Sequence, residues 1–343
     1  MVQNIFKALL IVSLVCLLLT SVTVFAQNLQ ETYAKKMHEA NEVRAKMAAS
    51  GINKETYDNL NTQYLKLEAE IKEIRSKLES DAEFVKRQND AKLAYNEANN
   101  NFKKGQFDAA LASYDKAIAL DPNKSQAFYG KGLTLARLRN NDEALVAYQK
   151  ALAIDPSNEQ AYSAMGSLYN SIGKYNEAIE AYKKAVDLNQ TRYTTIYNLG
   201  LVYSQIKDFK NAINTFRMAT QVKPDYYKAF ISLGVAYMEN GQIDQAIMAF
   251  ESALGIKGDL DEAHYRLAVA FNKAGQYQDA LKSAQEALKT TRRYRAAVSF
   301  EAGYASKNLG NRDQALSFFE EAGKDRQWRA SAEYEINLIK TGK

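Results

Sequence analysis

The sequence predicts an all-α protein built as a stack of helical hairpins, and three observations carry that expectation. The chain has only three prolines, Pro122, Pro156 and Pro224, separated by one and two steps of 34 residues. Proline lacks an amide donor and its ring clashes with the preceding turn, so prolines in one phase mark a unit that stops a helix at the same point each time. With units begun at Ala91, Ser125, Glu159, Tyr193, Tyr227 and Asp261, alanine holds the twentieth place of all six (Ala110, Ala144, Ala178, Ala212, Ala246, Ala280) and the twenty-seventh (Ala117, Ala151, Ala185, Ala219, Ala253, Ala287). The third observation is compositional. The 343 residues include only 16 glycines and are rich in Ala, Leu, Lys, Glu and Gln, which lose little rotamer freedom in a helix.

Other places of the unit agree. The eighth is small throughout (Ala98, Gly132, Gly166, Gly200, Gly234, Ala268), and the twenty-fourth is aromatic in five units, Ala284 being the exception. A seventh unit begins one residue late, at Ala296, with Gly303, Ala315, Phe319 and Ala322 in the matching places. Apolar residues at helical spacing run through the first fourteen places, a turn follows (through Gly105, Gly173, Gly241, Gly275 and Gly310), and a second amphipathic helix comes next. The expected packing sets the small place 8 against place 20, uses place 27 toward the next unit, and fills the wedge between hairpins with the place-24 ring. One hairpin cannot bury its apolar stripe, so stability must come from stacking.

This pattern resembles the tetratricopeptide-repeat (TPR) family over residues 91 to 329. The resemblance implies a TPR solenoid, a right-handed superhelix of hairpins with units at 91–124, 125–158, 159–192, 193–226, 227–260, 261–294 and 296–329. A C-terminal capping helix is expected over 330–343, starting from Arg329 with Tyr334, Ile336 and Ile339 toward one side. The family's common large aromatic at place 4 is here Ala94, Phe128, Tyr162, Ile196, Phe230 and His264. In the family the first helices line a concave groove, and places 2, 5, 6, 9, 12 and 13 face it. The groove candidates implied are Tyr95, Tyr129, Tyr197, Ile231, Tyr265 and Phe300 at place 5, with the polar Asn198, Lys228 and Arg266. A carboxylate clamp of the kind some relatives carry is incomplete, because Ser163 and Ser167 stand where a lysine and an asparagine would be needed.

The first 26 residues read as an export signal. Lys7 precedes an apolar run from Ala8 to Leu19, and Val24-Phe25-Ala26 supplies the small residues before Gln27. The expectation is export to the periplasm or cell envelope; left uncleaved, the segment would hold the protein at a membrane. Cys16, the sole cysteine, lies inside this segment and follows Val15, so neither lipidation nor a disulfide in the mature chain is expected. Residues 27–90 form a helical spacer. One helix is predicted over 29–49, broken at Ser50-Gly51, and a second from Asn53 with Tyr57, Leu60, Tyr64, Leu67, Ile71, Ile74 and Leu78 at steps of three and four. That is a coiled-coil seam. It can fold back on helix 29–49 as a hairpin, or pair between chains as a homo-oligomer through residues 54–79. Ser80 and Glu83 make a capping box where the helix restarts, unless it runs unbroken into the first repeat.

Charge and motifs remove other classes. Forty-five basic and 40 acidic residues leave a net charge of +5, with one dense run at Lys289-Thr290-Thr291-Arg292-Arg293-Tyr294-Arg295. The run reads as a solvated loop between repeats, without a nucleic-acid-reading module. His264 falls at a hairpin core place and His38 on an exposed face. No HExxH, phosphate loop or G-x-S-x-G elbow is present, and no catalytic, cofactor or metal residues are expected. The reading is a non-enzymatic scaffold or adaptor that binds a protein or peptide partner in its groove. The alternatives are a glycan- or cell-wall-binding module and a purely structural oligomer.

Overall fold

The computed structural model describes residues 28–342 apart from 50, 80 and 81. The export signal and the Ser80 end of the capping box lie outside the described residues. Among those residues there are seventeen helices and no strand. The first three are α1 (28–47), α2 (Lys54–Glu79) and α3 (Ala82–Lys103). Then α4 (Phe107–Leu120), α5 (Ser125–Arg137), α6 (Asn141–Ile154), α7 (Glu159–Ser171), α8 (Tyr175–Leu188), α9 (Tyr193–Gln205) and α10 (Phe209–Val222) follow. The rest are α11 (Tyr227–Glu239), α12 (Ile243–Ile256), α13 (Asp261–Lys273), α14 (Tyr277–Thr290), α15 (Arg295–Asn308), α16 (Arg312–Gly323) and α17 (Arg329–Thr341). The described residues form two compact bodies, divided between Leu168 and Tyr169.

The helices keep the predicted period. First helices start at place 1 in units two to six and second helices at place 17 in units one to seven, so no residue is gained or lost until unit seven. There α15 begins at Arg295 and runs 14 residues where the other first helices from α5 on run 13, which absorbs the extra residue. In unit one α3 starts at Ala82 and passes through Ala91 without a break, so the spacer boundary at 90 falls inside a helix.

Local backbone chemistry explains these ends. Each second helix of units one to six stops where the place-31 amide donates to the place-27 alanine carbonyl, as Asp121 does to Ala117 and Asp155 to Ala151. Asp121, Asp155 and Asn189 then accept from the amide two residues on, which closes an Asx turn around place 32, held by Pro122, Pro156 and Gln190. Each first helix ends in a Schellman motif, with the place-16 amide bonded to the place-11 carbonyl, as Asn140 to Leu135 and Gln242 to Tyr237, both 2.9 Å. This motif needs a left-handed residue at place 15. Five units use glycine; the other two force Arg139 (φ 65°) and Lys207 (φ 61°) into that region. Arg139→Gly and Lys207→Gly are each expected to stabilise the protein by about 1 kcal/mol, because a side chain is strained there. Urea denaturation of each variant against wild type checks this.

Packing gives place 8 a role beyond the approach of two backbones. The small place 8 is required by the place-24 ring of its own unit: a Cβ at Gly132 would lie 2.5 Å from Tyr148, at Gly200 2.6 Å from Phe216, and at Gly234 2.5 Å from Phe250. Unit six has Ala268 at place 8 and, correspondingly, Ala284 in place of the ring. In unit one Ala98 occupies place 8 and shares a core cluster with Tyr114, and the Tyr114 ring also lies against Gly130 of the next unit, where a Cβ would approach to 2.4 Å.

At the N-terminus the seam is met from within the chain. Leu60, Tyr64, Leu67 and Ile71 pack on Tyr33, Met37, Ala40, Val43 and Met47 of α1. Asn41 of α1 donates to the Ile154 carbonyl at the end of α6, tying this hairpin to the second repeat. At the other end Ala332, Ile336 and Ile339 of α17 pack on Phe319 and Ala322. Tyr334 does not share that face and is 62% exposed, because positions 332, 336 and 339 follow the helical stripe and 334 is about 200° from 332.

Candidate ligand-binding groove

The rings at place 5 rest on the rings at place 24. Tyr95 lies 6.1 Å from Tyr114, Tyr129 6.1 Å from Tyr148, Tyr197 5.6 Å from Phe216, and Phe300 5.3 Å from Phe319, all tilted or edge-on. The small residue at place 8 lets the lower ring lie close to the first helix, and that ring supports the upper one. Each place-5 aromatic is therefore half-buried, with its body in the hairpin and its outer edge open.

A second contact recurs that the spacing did not reveal. The residue capping the next first helix covers the place-5 ring from the side. Lys124 holds its ammonium 5.4 Å above Tyr95, Tyr226 meets Tyr197 edge-on at 5.2 Å, and Trp328 lies 5.0 Å from Phe300. The signal was present as an aromatic or cation directly before a first helix, but only the fold places it beside a residue of the preceding hairpin.

The other predicted residues divide. Ile231 is 8% exposed and belongs to the core with Phe250 and Leu267, so it offers the groove little; its aliphatic side chain has no polar end to keep in water. Asn198 is half-buried and Lys228 exposed. The Tyr197 hydroxyl is 3.2 Å from Ser232 Oγ. Arg266 faces Glu262 only at 3.8 Å. His38 is exposed beside Glu42, and His264, half-exposed rather than in the core, bonds through Nε2 to the Gly258 carbonyl.

One titrating group lies on the same helical face. Glu301, at place 6 of unit seven, is pushed above the ordinary glutamate range by burial, and this is partly offset by a 2.7 Å hydrogen bond from Asn272 and by Lys273. A carboxyl raised on folding favours the protonated state, so stability falls as pH rises from about 4.5 through its folded value. Glu301→Gln is therefore expected to raise stability at pH 7.5, by on the order of 1 kcal/mol, and to leave it unchanged at pH 4. Paired urea titrations at the two pH values test the sign.

Paired helices, repeated every 34 residues around small-to-aromatic contacts, define an α-helical hairpin repeat protein. Models of tetratricopeptide and TPR repeats match residues 95–159, 147–180, 166–207, 193–226 and 237–302. The chain belongs to the tetratricopeptide-repeat family. Among solved structures it is similar to the C-terminal part of a TPR repeat-containing protein from Cytophaga hutchinsonii, at 16% identity, TM-score 0.61, over 71% of this chain and 99% of that one. It is also similar to a tetratricopeptide repeat protein from Parabacteroides merdae, at 17% identity, TM-score 0.50, over 73% and 99%. These two likenesses show the fold alone. The MamA protein is 28% identical over 49% of this chain and 92% of its own, at TM-score 0.46. Comparison with curated proteins gives no significant match. Among the described residues no helix is long and apolar enough to cross a membrane.

Proposed function

We propose that this protein is a non-enzymatic scaffold of the periplasm or cell envelope that holds a segment of a partner protein along its first-helix face. TPR proteins are generally interaction modules, and that coarse role follows from family membership. The observation that carries the finer reading is the set of half-buried aromatics at place 5, resting on place-24 rings, with Tyr95, Tyr197 and Phe300 also flanked by the residue that caps the next helix. Rings immobilised before binding lose little entropy when a partner covers them, which is why rigid aromatics dominate contact energies. The envelope location rests on the apolar segment before Gln27, and the intramolecular hairpin of α1 and α2 is read as a spacer between that end and the repeats.

The test is photocrosslinking in the native envelope from a position beside Tyr197, in wild type and in a Tyr197→Ala, Tyr265→Ala variant. A specific protein adduct that disappears in the variant supports the scaffold. Recovery of polysaccharide alone would indicate a glycan-binding module, and adducts unchanged by the substitutions would indicate a structural oligomer. N-terminal sequencing of the exported chain should begin at Gln27; a retained leader would place the protein at the membrane.

A further inference from the structure

Unit six departs from the pattern just described, and the departure is concentrated at one place. Ala284 removes the ring that would support Tyr265. Tyr265 instead stacks on Tyr294, the cap of α15, at 5.6 Å and 15°, the one parallel pair among the described ring contacts. Each of these tyrosines carries a guanidinium over its face: Arg266 at 5.7 Å from Tyr265 and Arg293 at 5.3 Å from Tyr294.

The extra residue of unit seven enters in the same loop. The cap of α14, Thr291, takes φ −72° and ψ 132°, whereas the caps of α4, α6, α8, α10 and α12 lie near φ −131° to −146° and ψ 86° to 100°. The rerouted loop carries Arg292, Arg293 and Arg295 to the rim of a concavity of about 570 Å³, whose floor includes the stacked tyrosines and Trp328. That volume is within the range of sites that enclose a few side chains of a ligand.

Charge is left over at this rim. Five cations, Arg266, Arg292, Arg293, Arg295 and Lys324, stand against two lining carboxylates, Glu321 and Asp325, and against Glu262, which lies 3.8 Å from Arg266. Glu321 is already engaged by Arg295 at 3.0 Å and by Lys324, and Asp325 accepts from the Gln327 amide at 2.8 Å. Among the described residues Arg292 and Arg293 are exposed and have no carboxylate partner, and Arg266 Nε is buried without an acceptor. The N-termini of α15 and α17 open at the same rim, neither with a side-chain cap, which adds partial positive charge.

We propose that this junction is a binding site for an acidic peptide segment, whose carboxylates pair with Arg266 and Arg293 while an apolar or aromatic side chain enters over Tyr265 and Trp328. It rests on reading the first-helix face as a peptide groove, and adds the chemistry of the peptide. A guanidinium held flat on a ring keeps its edge N–H groups free and oriented, the geometry that matches a carboxylate in two parallel hydrogen bonds. A nucleic-acid strand would need a basic track several nucleotides long, whereas the excess here is confined to one concavity.

The test uses the mature chain and fluorescence anisotropy with four probes of equal length. They are a Glu/Asp-rich peptide with one Phe, its Gln/Asn counterpart, a phosphoserine version, and a single-stranded oligonucleotide of equal charge. The acidic peptide is expected to bind at least about tenfold more tightly than the neutral one. Arg293→Gln, at an exposed position, should remove most of that difference with no change in melting temperature, and Arg266→Lys should weaken binding although it keeps the charge. Preference for the phosphoserine peptide would reassign the anion from carboxylate to phosphate and overturn the acidic assignment. Equal binding of the oligonucleotide would reduce the site to a nonspecific cation patch. If both peptides bind equally and Tyr197→Ala weakens both, the groove stands and this site falls. If no peptide binds, the acidic site falls, and the crosslinking experiment decides the groove separately.

Discussion

Phe250→Ala is expected to lower the unfolding free energy by about 3–5 kcal/mol, the usual range for truncating a buried phenylalanine. Phe250 is fully buried, and its ring lies directly against Gly234 of the same hairpin. Gly234→Ala alone should also destabilise, by about 1–3 kcal/mol, because the new Cβ would sit 2.5 Å from the ring and a fully buried ring has nowhere to move. The informative variant is the double one. With the ring gone, alanine at 234 meets no clash, fills part of the cavity, and regains helix propensity of up to about 1 kcal/mol. The double variant should therefore be more stable than Phe250→Ala alone, so Gly234→Ala changes sign with its background. The natural pair Ala268 and Ala284 in unit six is this double variant already made. Urea unfolding of the four proteins gives the cycle, and additive losses would show that place 8 and place 24 are independent.

Gly130→Ala should destabilise by about 1–3 kcal/mol for a related but distinct reason. The Tyr114 ring also touches the next hairpin, within 2.4 Å of where a Cβ at Gly130 would stand. Its hydroxyl donates to Asn99 Oδ1 at 2.6 Å, and burial pushes the phenol up to about 12, so it stays a donor at any physiological pH. Unlike the Gly234 contact, this one joins two units, so the loss should fall on the interface between repeats one and two. Hydrogen exchange should accelerate across α4 and α5 together in Gly130→Ala; acceleration limited to α5 would rule out the inter-unit reading.

Much of this was legible in the sequence because the signals are local. Proline at place 32, left-handed glycine at place 15 and alanine at places 20 and 27 act through backbone geometry that recurs wherever the motif recurs. They set the number, length and phase of the hairpins, including the late start of unit seven. The residues at place 5 were located by the same counting, but counting does not register how deep a side chain sinks, and Ile231 is buried.

The contacts that give those positions their character were not local. Tyr114 and Tyr148 hold the same place, yet the glycine that each ring lies against is in the next unit for Tyr114 and in its own unit for Tyr148. The α2 seam reads the same whether it meets another chain or α1, and only packing shows α1 on it. The basic run at 289–295 reads as a solvated loop, and its arginines are indeed exposed. Ala284, Tyr294 and one inserted residue, separated in sequence, combine in space to gather those arginines around Tyr265. The sequence by itself determined a seven-hairpin array and its period, because periodic backbone signals need no knowledge of neighbours. Only the tertiary structure decided where the array stops being periodic in its chemistry, because that is settled by which side chains are left without their usual partner.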